Sequence, residues 1–153
     1  MHLDLADNQL TSIPKEIGNL IKLKELNLKN NELISLPKEI GYLVNLTYLD
    51  LADNQLTSIP REIKNLVKLT HLNLNYNKLT SFPKEIGNLV MLYILQLDNN
   101  KLTRLPKHIG KLKKLRKLNV NYNQLIGLSL EINNIIMLKK FYVVIIILQY
   151  YQN

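Results

Sequence analysis

The sequence predicts an α/β solenoid, in which short parallel β-strands line one side of the coiled chain and helical turns line the other. A repeat of 23 residues carries this prediction. Asparagine, proline and leucine each recur with that step at their own positions, as Asn31, Asn54 and Asn77 do. A fixed period of roughly 20–50 residues is typical of solenoids, in which each unit buries its apolar side against the next unit.

The strand of each unit comes from alternating leucines. In the second unit Leu26 and Leu28 alternate with polar residues, which is the period-two pattern of a strand with one buried face. Stacked units must then place their strands in parallel, roughly 4.8 Å apart. Asn31 ends this strand, because its amide can bond backbone groups at a turn, and it can also reach the next coil.

The rest of the unit predicts a short helical turn. Pro37 suits its first position, where no N–H is needed. Ile40 and Leu43 are three residues apart and therefore share the inner face of the turn. Because the turns are wider than the strands, we expect the stack to bend with its strands on the concave side. No unit can bury its large apolar side chains alone, and each is worth roughly 1.5–3 kcal/mol when buried, so stability must come from stacking.

The unit LxxLxLxxNxLxxLPxxIGxL resembles the leucine-rich-repeat family. The stretch Leu-Pro-Lys-Glu-Ile-Gly resembles the 23-residue class found in spirochaete proteins and in Ras-group relatives. The resemblance is close over residues 2–128 and loose over 129–148. It implies a leucine-rich-repeat horseshoe, with parallel strands on the concave face and short helical turns on the convex face.

The resemblance also implies a function and a location. We expect a single domain over residues 1–153, with regular repeats in 2–128 and a degenerate repeat with an edge strand in 129–153. The family role implies a non-catalytic bacterial protein that binds a host partner, secreted or on the cell surface. No signal peptide is visible, so the cytoplasm is the alternative location.

The last repeats depart from the pattern. Ser129 and Leu130 stand where Pro-Lys is expected, and Asn133 replaces glycine. Neither end carries the polar capping segment that repeat proteins normally need. The β-branched run at 141–148 predicts an exposed edge strand, on which a homodimer or a missing continuation of the chain would pair. The chain is therefore expected to be a fragment of a longer array, or to have its ends covered by a partner.

The outward residues beside the strand leucines predict the binding surface, because they vary between units whereas the leucines barely change. Tyr48, His71, Ile94 and Tyr76 are the predicted anchors, since aromatic side chains near an interface centre often carry much of the binding energy. Simple tolerance of exposed Tyr and His in a polar sheet is the alternative. The candidate partner-binding residues are Glu25, Tyr48, Asp50, His71, Asn73, Asn75, Tyr76, Ile94, Gln96, Asp98, Lys117 and Asn119.

A basic run predicts an alternative function, the binding of an anionic glycan or membrane surface. The formal net charge is +8, and no acidic residue stands between Asp98 and Glu131. Most of the run maps to the convex turn and its flank, where a solvated face is the simpler interpretation. No aromatic residues interleave with it, which argues against nucleic acid. The basic patch consists of Lys101, Arg104, Lys107, Lys111, Lys113, Lys114 and Arg116, continuing to Lys117.

The motifs of catalysis and of metal or cofactor binding are missing from the sequence. It has no cysteine, no glycine-rich phosphate loop and no serine elbow. His2 and His71 share a row but lie three strands apart, roughly 14 Å at the strand spacing, which is too far for one metal ion. The longest apolar run, at 143–148, is far shorter than the roughly 20 residues of a membrane-spanning helix. We therefore expect no catalytic residue, no cofactor, no metal and no transmembrane segment.

Overall fold

The computed structural model of the 153-residue chain describes residues 1–143. Seven parallel strands pair in chain order into one open sheet. We call each strand, together with the residues up to the next strand, a coil, so that coil 1 begins with β1. The strands are β1 (His2–Asp4), β2 (Glu25–Asn27), β3 (Tyr48–Asp50), β4 (His71–Asn73), β5 (Ile94–Gln96), β6 (Lys117–Asn119) and β7 (Lys140–Tyr142).

The strand register follows the 23-residue step. Tyr48 on β3 pairs with His71 on β4, and His71 pairs with Ile94 on β5. Because the step is constant, residues at one position of the repeat form straight rows across the sheet. Of the predicted edge strand at 141–148, β7 contains the first two residues. Residues 144–148, and with them most of the predicted homodimer surface, lie outside the described residues.

Strands β1–β6 are three residues long, and each is followed by a residue with a left-handed backbone that ends the extended conformation. Asp7 and Asn30, at equivalent positions, have φ values of 57° and 53°. Asp and Asn tolerate this conformation better than other non-glycine residues, since their short polar side chains bond locally. The four later residues at this position are Asp53, Tyr76, Asn99 and Tyr122, again with φ near 54°.

The helical turns are 3-10 helices, and the proline that precedes each one is not its first residue. Pro37 has ψ of 147°, which is extended, and helix Lys38–Tyr42 begins after it. The predicted position of Pro37 was therefore wrong by one residue. The fixed φ of proline suits both the residue before the helix and its first residue. Pro37 lies before the helix because its carbonyl accepts the first helical hydrogen bond, from Ile40 N–H. Ser129 takes the same place before the degenerate turn. The helices are Lys15–Asn19, Lys38–Tyr42, Arg61–Asn65, Lys84–Asn88, Lys107–Lys111 and Leu130–Asn134.

The core is a stack of leucines and isoleucines between the sheet and the helical turns. Leu26, Leu49 and Leu95, the central residues of three strands, are fully buried. The predicted inward direction of the strand leucines is confirmed for these coils. The predicted α/β solenoid is confirmed as well, with the sheet on its concave side and 3-10 helices as its convex turns.

Asparagine side chains join the coils. Asn54 Nδ2 donates to Leu28 O of the preceding coil at 3.0 Å, and Asn54 Oδ1 accepts from Leu33 N–H at 3.0 Å. Asn77 makes the equivalent bonds to Leu51 O and Leu56 N–H. The asparagine therefore reaches the coil before it, whereas the sequence pattern had suggested the coil after it. These bonds satisfy buried backbone groups that no strand partner can reach.

Candidate binding surface

The centre of the concave face holds an aromatic pair. The Tyr48 and His71 rings, on adjacent strands, have centroids 6.0 Å apart and planes inclined by 37°. Tyr48 Oη donates to Asp50 Oδ2 at 3.2 Å. Burial, followed by the charge of Asp50, raises the pKa of Tyr48, so its hydroxyl stays a donor at neutral pH. Tyr48 remains 37% exposed, and Ile94 extends the pair along the row to β5.

Thr70 orients the imidazole of His71. Thr70 Oγ1 donates to Thr47 O at 2.9 Å and lies 2.9 Å from His71 Nδ1. Because the hydroxyl hydrogen is used on Thr47 O, Nδ1 carries the imidazole proton and donates to Thr70 Oγ1. In the neutral ring Nε2 is then left as an acceptor for a partner.

Several of the predicted partner-binding residues make internal bonds instead of presenting free polar groups. Asp50 is buried, and its Oδ1 accepts from Ala52 N–H at 2.9 Å. Asn73 Nδ2 donates to Asp50 Oδ2, and Asn73 Oδ1 accepts from Asn75 N–H. Bonds between a side chain and the backbone N–H two residues later follow β1, β2, β3 and β4, as in an Asx turn. The row of Asp and Asn residues on the face thus has a structural role of its own.

Asp98 lies between coils 4 and 6 and is held by asparagines. Asn119 Nδ2 donates to its Oδ2, and Asn121 N–H donates to Oδ1 at 2.9 Å. Asn75 Oδ1 accepts from Asp98 N–H at 2.8 Å. Burial raises the pKa of Asp98, although the hydrogen bond from Asn121 and the charge of Lys117 act against the rise. Asn119 Oδ1 is buried and has no hydrogen-bond partner among the described residues.

The remaining predicted residues lie at the sides of the face. Glu25 Oε2 lies 2.9 Å from His2 Nδ1, and both side chains are about half exposed. Gln96 is half-buried on β5. Tyr76 is 55% exposed and adopts a φ of 54°, which is unusual for so bulky a residue. Tyr122 takes the same position two coils later and is 72% exposed, so it is a further aromatic residue beside this face.

The predicted basic patch is divided between different sides of the solenoid, because residues 101–117 span most of one turn of it. Lys107, Lys111 and Lys113 line a depression of about 340 Å³ on the convex side, with His108, Gly110, Glu131 and Asn134. The pKa of Glu131 is lowered, first by its own backbone N–H and then by Ser129, with Lys107 and His108 adding to the effect. Lys113 Nζ also donates to Asn134 O at 2.9 Å. The convex cations therefore have a carboxylate and a carbonyl beside them.

Arg116 and Lys117, at the other end of the run, belong to a different depression. It opens at the starts of the strands, has a volume of about 410 Å³, and we call it the basic edge pocket. Sequence reasoning missed Tyr93 and Lys139, and it placed Lys140 in the outward row of the face but not among the candidate binding residues, although the 23-residue step from Arg116 to Lys139 and from Lys117 to Lys140 is visible in the sequence. Its lining residues are His71, Tyr93, Ile94, Arg116, Lys117, Lys139 and Lys140.

Residues 1–143 contain no group of three or more His, Cys, Asp or Glu side chains arranged to hold a metal ion. No helix among these residues has the length and apolar character needed to cross a membrane.

Comparisons with known proteins agree with this architecture. The chain matches the leucine-rich repeat region family over residues 2–77 and 60–151. A leucine-rich-repeat protein of Leptospira interrogans is 46% identical, with a TM-score of 0.86 over 88% of this chain. An internalin of Listeria monocytogenes is 27% identical, with a TM-score of 0.72 over 87% of the chain. No curated protein sequence matches significantly.

A plant protein shows the same fold with a bound ligand. The ectodomain of a membrane receptor kinase of Arabidopsis thaliana, solved in complex with CASPARIAN STRIP INTEGRITY FACTOR 2, is 39% identical, with a TM-score of 0.84 over 91% of the chain. The chain spans 34% of the Leptospira protein, 38% of the internalin and 18% of the receptor ectodomain. The leucine-rich-repeat fold is a common scaffold for protein binding. By its repeats, its sheet and these matches, the chain belongs to the leucine-rich-repeat family.

Proposed function

We propose that this chain is a non-catalytic module that binds a protein through its concave face, with Tyr48, His71, Ile94 and Tyr76 as anchors. The observation that carries the proposal is the partly exposed aromatic and apolar row at the centre of the sheet. Tyr48, His71 and Ile94 stand side by side on β3, β4 and β5, while the strand leucines next to them are buried. Large side chains exposed together on a concave face are the usual centre of a protein interface.

Tyr76 adds a second observation. A left-handed backbone costs a bulky residue free energy, and such strain tends to persist at functional sites. Asp or Asn occupies this position in coils 1, 2, 3 and 5, whereas Tyr76 is strained and exposed beside the aromatic row. The resemblance to proteins of Leptospira and Listeria favours a bacterial protein whose partner comes from a host.

A matched pair of double variants tests the proposal. Tyr48→Ala/His71→Ala removes the concave pair, and Tyr42→Ala/His108→Ala removes the same residue types from helices Lys38–Tyr42 and Lys107–Lys111 on the convex side. Wild type and both variants would be immobilised and exposed to serum and to host-cell extract, and retained proteins quantified by mass spectrometry. Circular dichroism would first establish that all three are folded.

We expect that at least one protein is retained by wild type and by the convex variant but not by the concave variant. Retention that is equal in all three would contradict binding through the concave face. Loss confined to the convex variant would transfer the binding site to the helical turns. Retention of no protein by wild type would contradict a protein partner in these two sources.

A further inference from the structure

We infer that the basic edge pocket binds an acidic segment of a partner protein, in which carboxylates flank an apolar side chain. This inference rests on the proposed protein-binding function and specifies the chemistry of the partner at one end of the concave face. The pocket combines four cationic side chains, two at the start of β6 and two at the start of β7, with an apolar floor of Tyr93 and Ile94 at the start of β5. Neither feature is visible in the basic run 101–117 taken alone, since half of these cations lie outside it.

Backbone hydrogen bonds fix the positions of the four cations. Tyr93 O accepts from Arg116 N–H at 2.9 Å and from Lys117 N–H at 3.1 Å. One coil later, Arg116 O accepts from Lys139 N–H and Lys140 N–H, both at 2.9 Å. Each pair of cations therefore starts from a backbone held by the coil before it, so only side-chain freedom is lost when a ligand binds.

No ion pair within the described part of the chain involves the cations of the pocket, although the charge of Lys117 acts on the carboxylate of Asp98. None of its seven lining residues is acidic. The ion pairs found among residues 1–143 are His2–Glu25, Lys29–Asp53 and Arg61–Glu62, and none of them involves these four cations. The convex depression differs, because Glu131 lies among its lysines. An anionic ligand is thus stabilised more by electrostatic attraction at the edge pocket than at the convex turns.

The floor of the pocket favours a peptide over a bare polyanion. Tyr93 and Ile94 are half-exposed, and the Arg116 guanidinium carbon lies 5.3 Å from the centre of the Tyr93 ring. The guanidinium is thereby held over an apolar surface while its N–H groups remain able to bind a carboxylate. A volume of about 410 Å³ suits a few side chains. A long glycan would need a continuous track of cations, whereas Lys107 and Lys111 lie on the convex side.

The opposite end of the concave face confines an acidic segment to this pocket. Coils 1–3 carry Asp4, Asp7, Glu25 and Asp53 on or beside their strands. Glu25 is paired with His2 and Asp53 with Lys29, but the four carboxylates still make this end of the face less favourable for an acidic segment than the edge pocket, whose four cations attract it. A partner that lies along the face is therefore oriented with its acidic segment over coils 5–7.

A short peptide of alternating Glu and Phe tests the inference directly. Its binding would be followed by fluorescence anisotropy at about 50 mM and about 500 mM salt, since screening separates these conditions. Peptides in which Gln or Lys replaces Glu, and a heparin oligosaccharide, serve as the other probes. The variant Lys139→Glu/Lys140→Glu reverses two pocket charges, and Lys139→Gln/Lys140→Gln removes them more mildly. Lys15→Glu/Lys38→Glu makes the same charge change on exposed convex residues.

We expect the Glu–Phe peptide to bind wild type and the convex control equally, and to bind the Lys139→Glu/Lys140→Glu variant roughly tenfold or more weakly. The Gln variant should show an intermediate loss, and high salt should weaken wild-type binding. Equal binding by wild type and both pocket variants would overturn the inference. So would binding of heparin without the peptide, or equal binding of the Glu, Gln and Lys peptides.

Any captured partner separates this inference from the proposed function. Loss of the partner by both Tyr48→Ala/His71→Ala and Lys139→Glu/Lys140→Glu would support both proposals. A partner lost by the first variant and kept by the second would leave the concave face as the binding site and overturn the acidic contact. Peptide binding at the pocket without any captured partner would contradict the proposed function alone.

Discussion

Individual polar side chains on the concave face serve two purposes, and their hydrogen bonds show which purpose dominates. Asp50 is buried under Tyr48 and bonded to Asn73 and to Ala52 N–H, so it stabilises the sheet. Tyr48, His71 and Ile94 remain accessible beside it. Among residues of the concave face, accessibility therefore distinguishes those available to a partner from those that hold the strands together.

Asp98 provides a test of this division. Its pKa is raised by burial, so the carboxylate is less favourable in the folded chain than in the unfolded chain. Asp98→Asn keeps an acceptor for Asn121 N–H and removes the charge; its new amide N–H can donate to Asn119 Oδ1, which has no partner in the described residues, once the Asn119 amide turns over. We expect the variant to be more stable than wild type at neutral pH, by roughly 0.5 kcal/mol, because the site is partly screened by solvent.

The expected pH dependence has a definite sign. A raised pKa in the folded state contributes stability that is fully present below the unfolded pKa, about 4, and is lost as pH rises through the folded value. The free energy of unfolding of wild type should therefore rise relative to that of Asp98→Asn as pH falls from neutral toward 4. Urea unfolding of both proteins across this range measures the difference. A difference that does not change with pH, or a less stable variant at pH 7, would refute the argument.

Coils 2–6 are each joined to the coil before them by a buried asparagine. Asn77 bonds Leu51 O and Leu56 N–H of the preceding coil and Leu74 O of its own. Close packing of the helical turns adds to this connection. A Cβ on Gly41 would lie 2.7 Å from Glu62 O of the next coil, so a side chain at this position of coil 2 would force the backbone to shift. The repeated Asn thus joins the coils, and Gly41 allows the turns of coils 2 and 3 to approach closely.

Asn77→Ala should lower the free energy of unfolding by about 2–4 kcal/mol, because it leaves buried backbone groups of two coils without partners. Asn8→Ala is the matched control. Asn8 is exposed in coil 1 and donates only within its own coil, to Leu5 O and Ala6 O. Its replacement should cost less than about 1 kcal/mol. Chemical denaturation measures both values, and equal losses would show that the bonds between coils contribute little.

The whole molecule is stabilised by contacts between neighbouring coils. Leu49 pairs with Leu26 on one side and with Leu72 on the other, whereas Leu3 pairs with Leu26 alone among the described residues. Leu49 is fully buried and Leu3 is partly exposed. In a solenoid each unit contributes through its nearest neighbours, so a central coil has twice the interface of a terminal one.

Leu49→Ala should therefore destabilise the chain by about 2–5 kcal/mol, as expected for a buried leucine that leaves a cavity. Leu3→Ala should cost about 1 kcal/mol, since its side chain already contacts solvent. Urea unfolding gives the two free energies, and hydrogen exchange shows which coils open. A loss for Leu3→Ala as large as that for Leu49→Ala would contradict a nearest-neighbour stack.

The sequence was sufficient to predict the architecture. Because the repeat has a constant step of 23 residues, every coil has the same pattern as the coil before it. The parallel register, the inward leucines and the rows of the concave face all follow from this spacing. The tertiary structure was needed to show how polar residues are used. Hydrogen bonds between coils bury Asp50 and hold Asp98, and no pattern along the chain reveals them.

The basic residues show the same limit. Lys107 and Arg116 are close in sequence, but the chain turns around the core between them and places them on opposite sides of the solenoid. Arg116 and Lys139 are a full repeat apart, but parallel pairing puts them next to each other in one pocket. The position of a residue within the 23-residue repeat determines which side of its coil it lies on. The stacking of coils then brings together, from different repeats, the side chains that would contact a ligand.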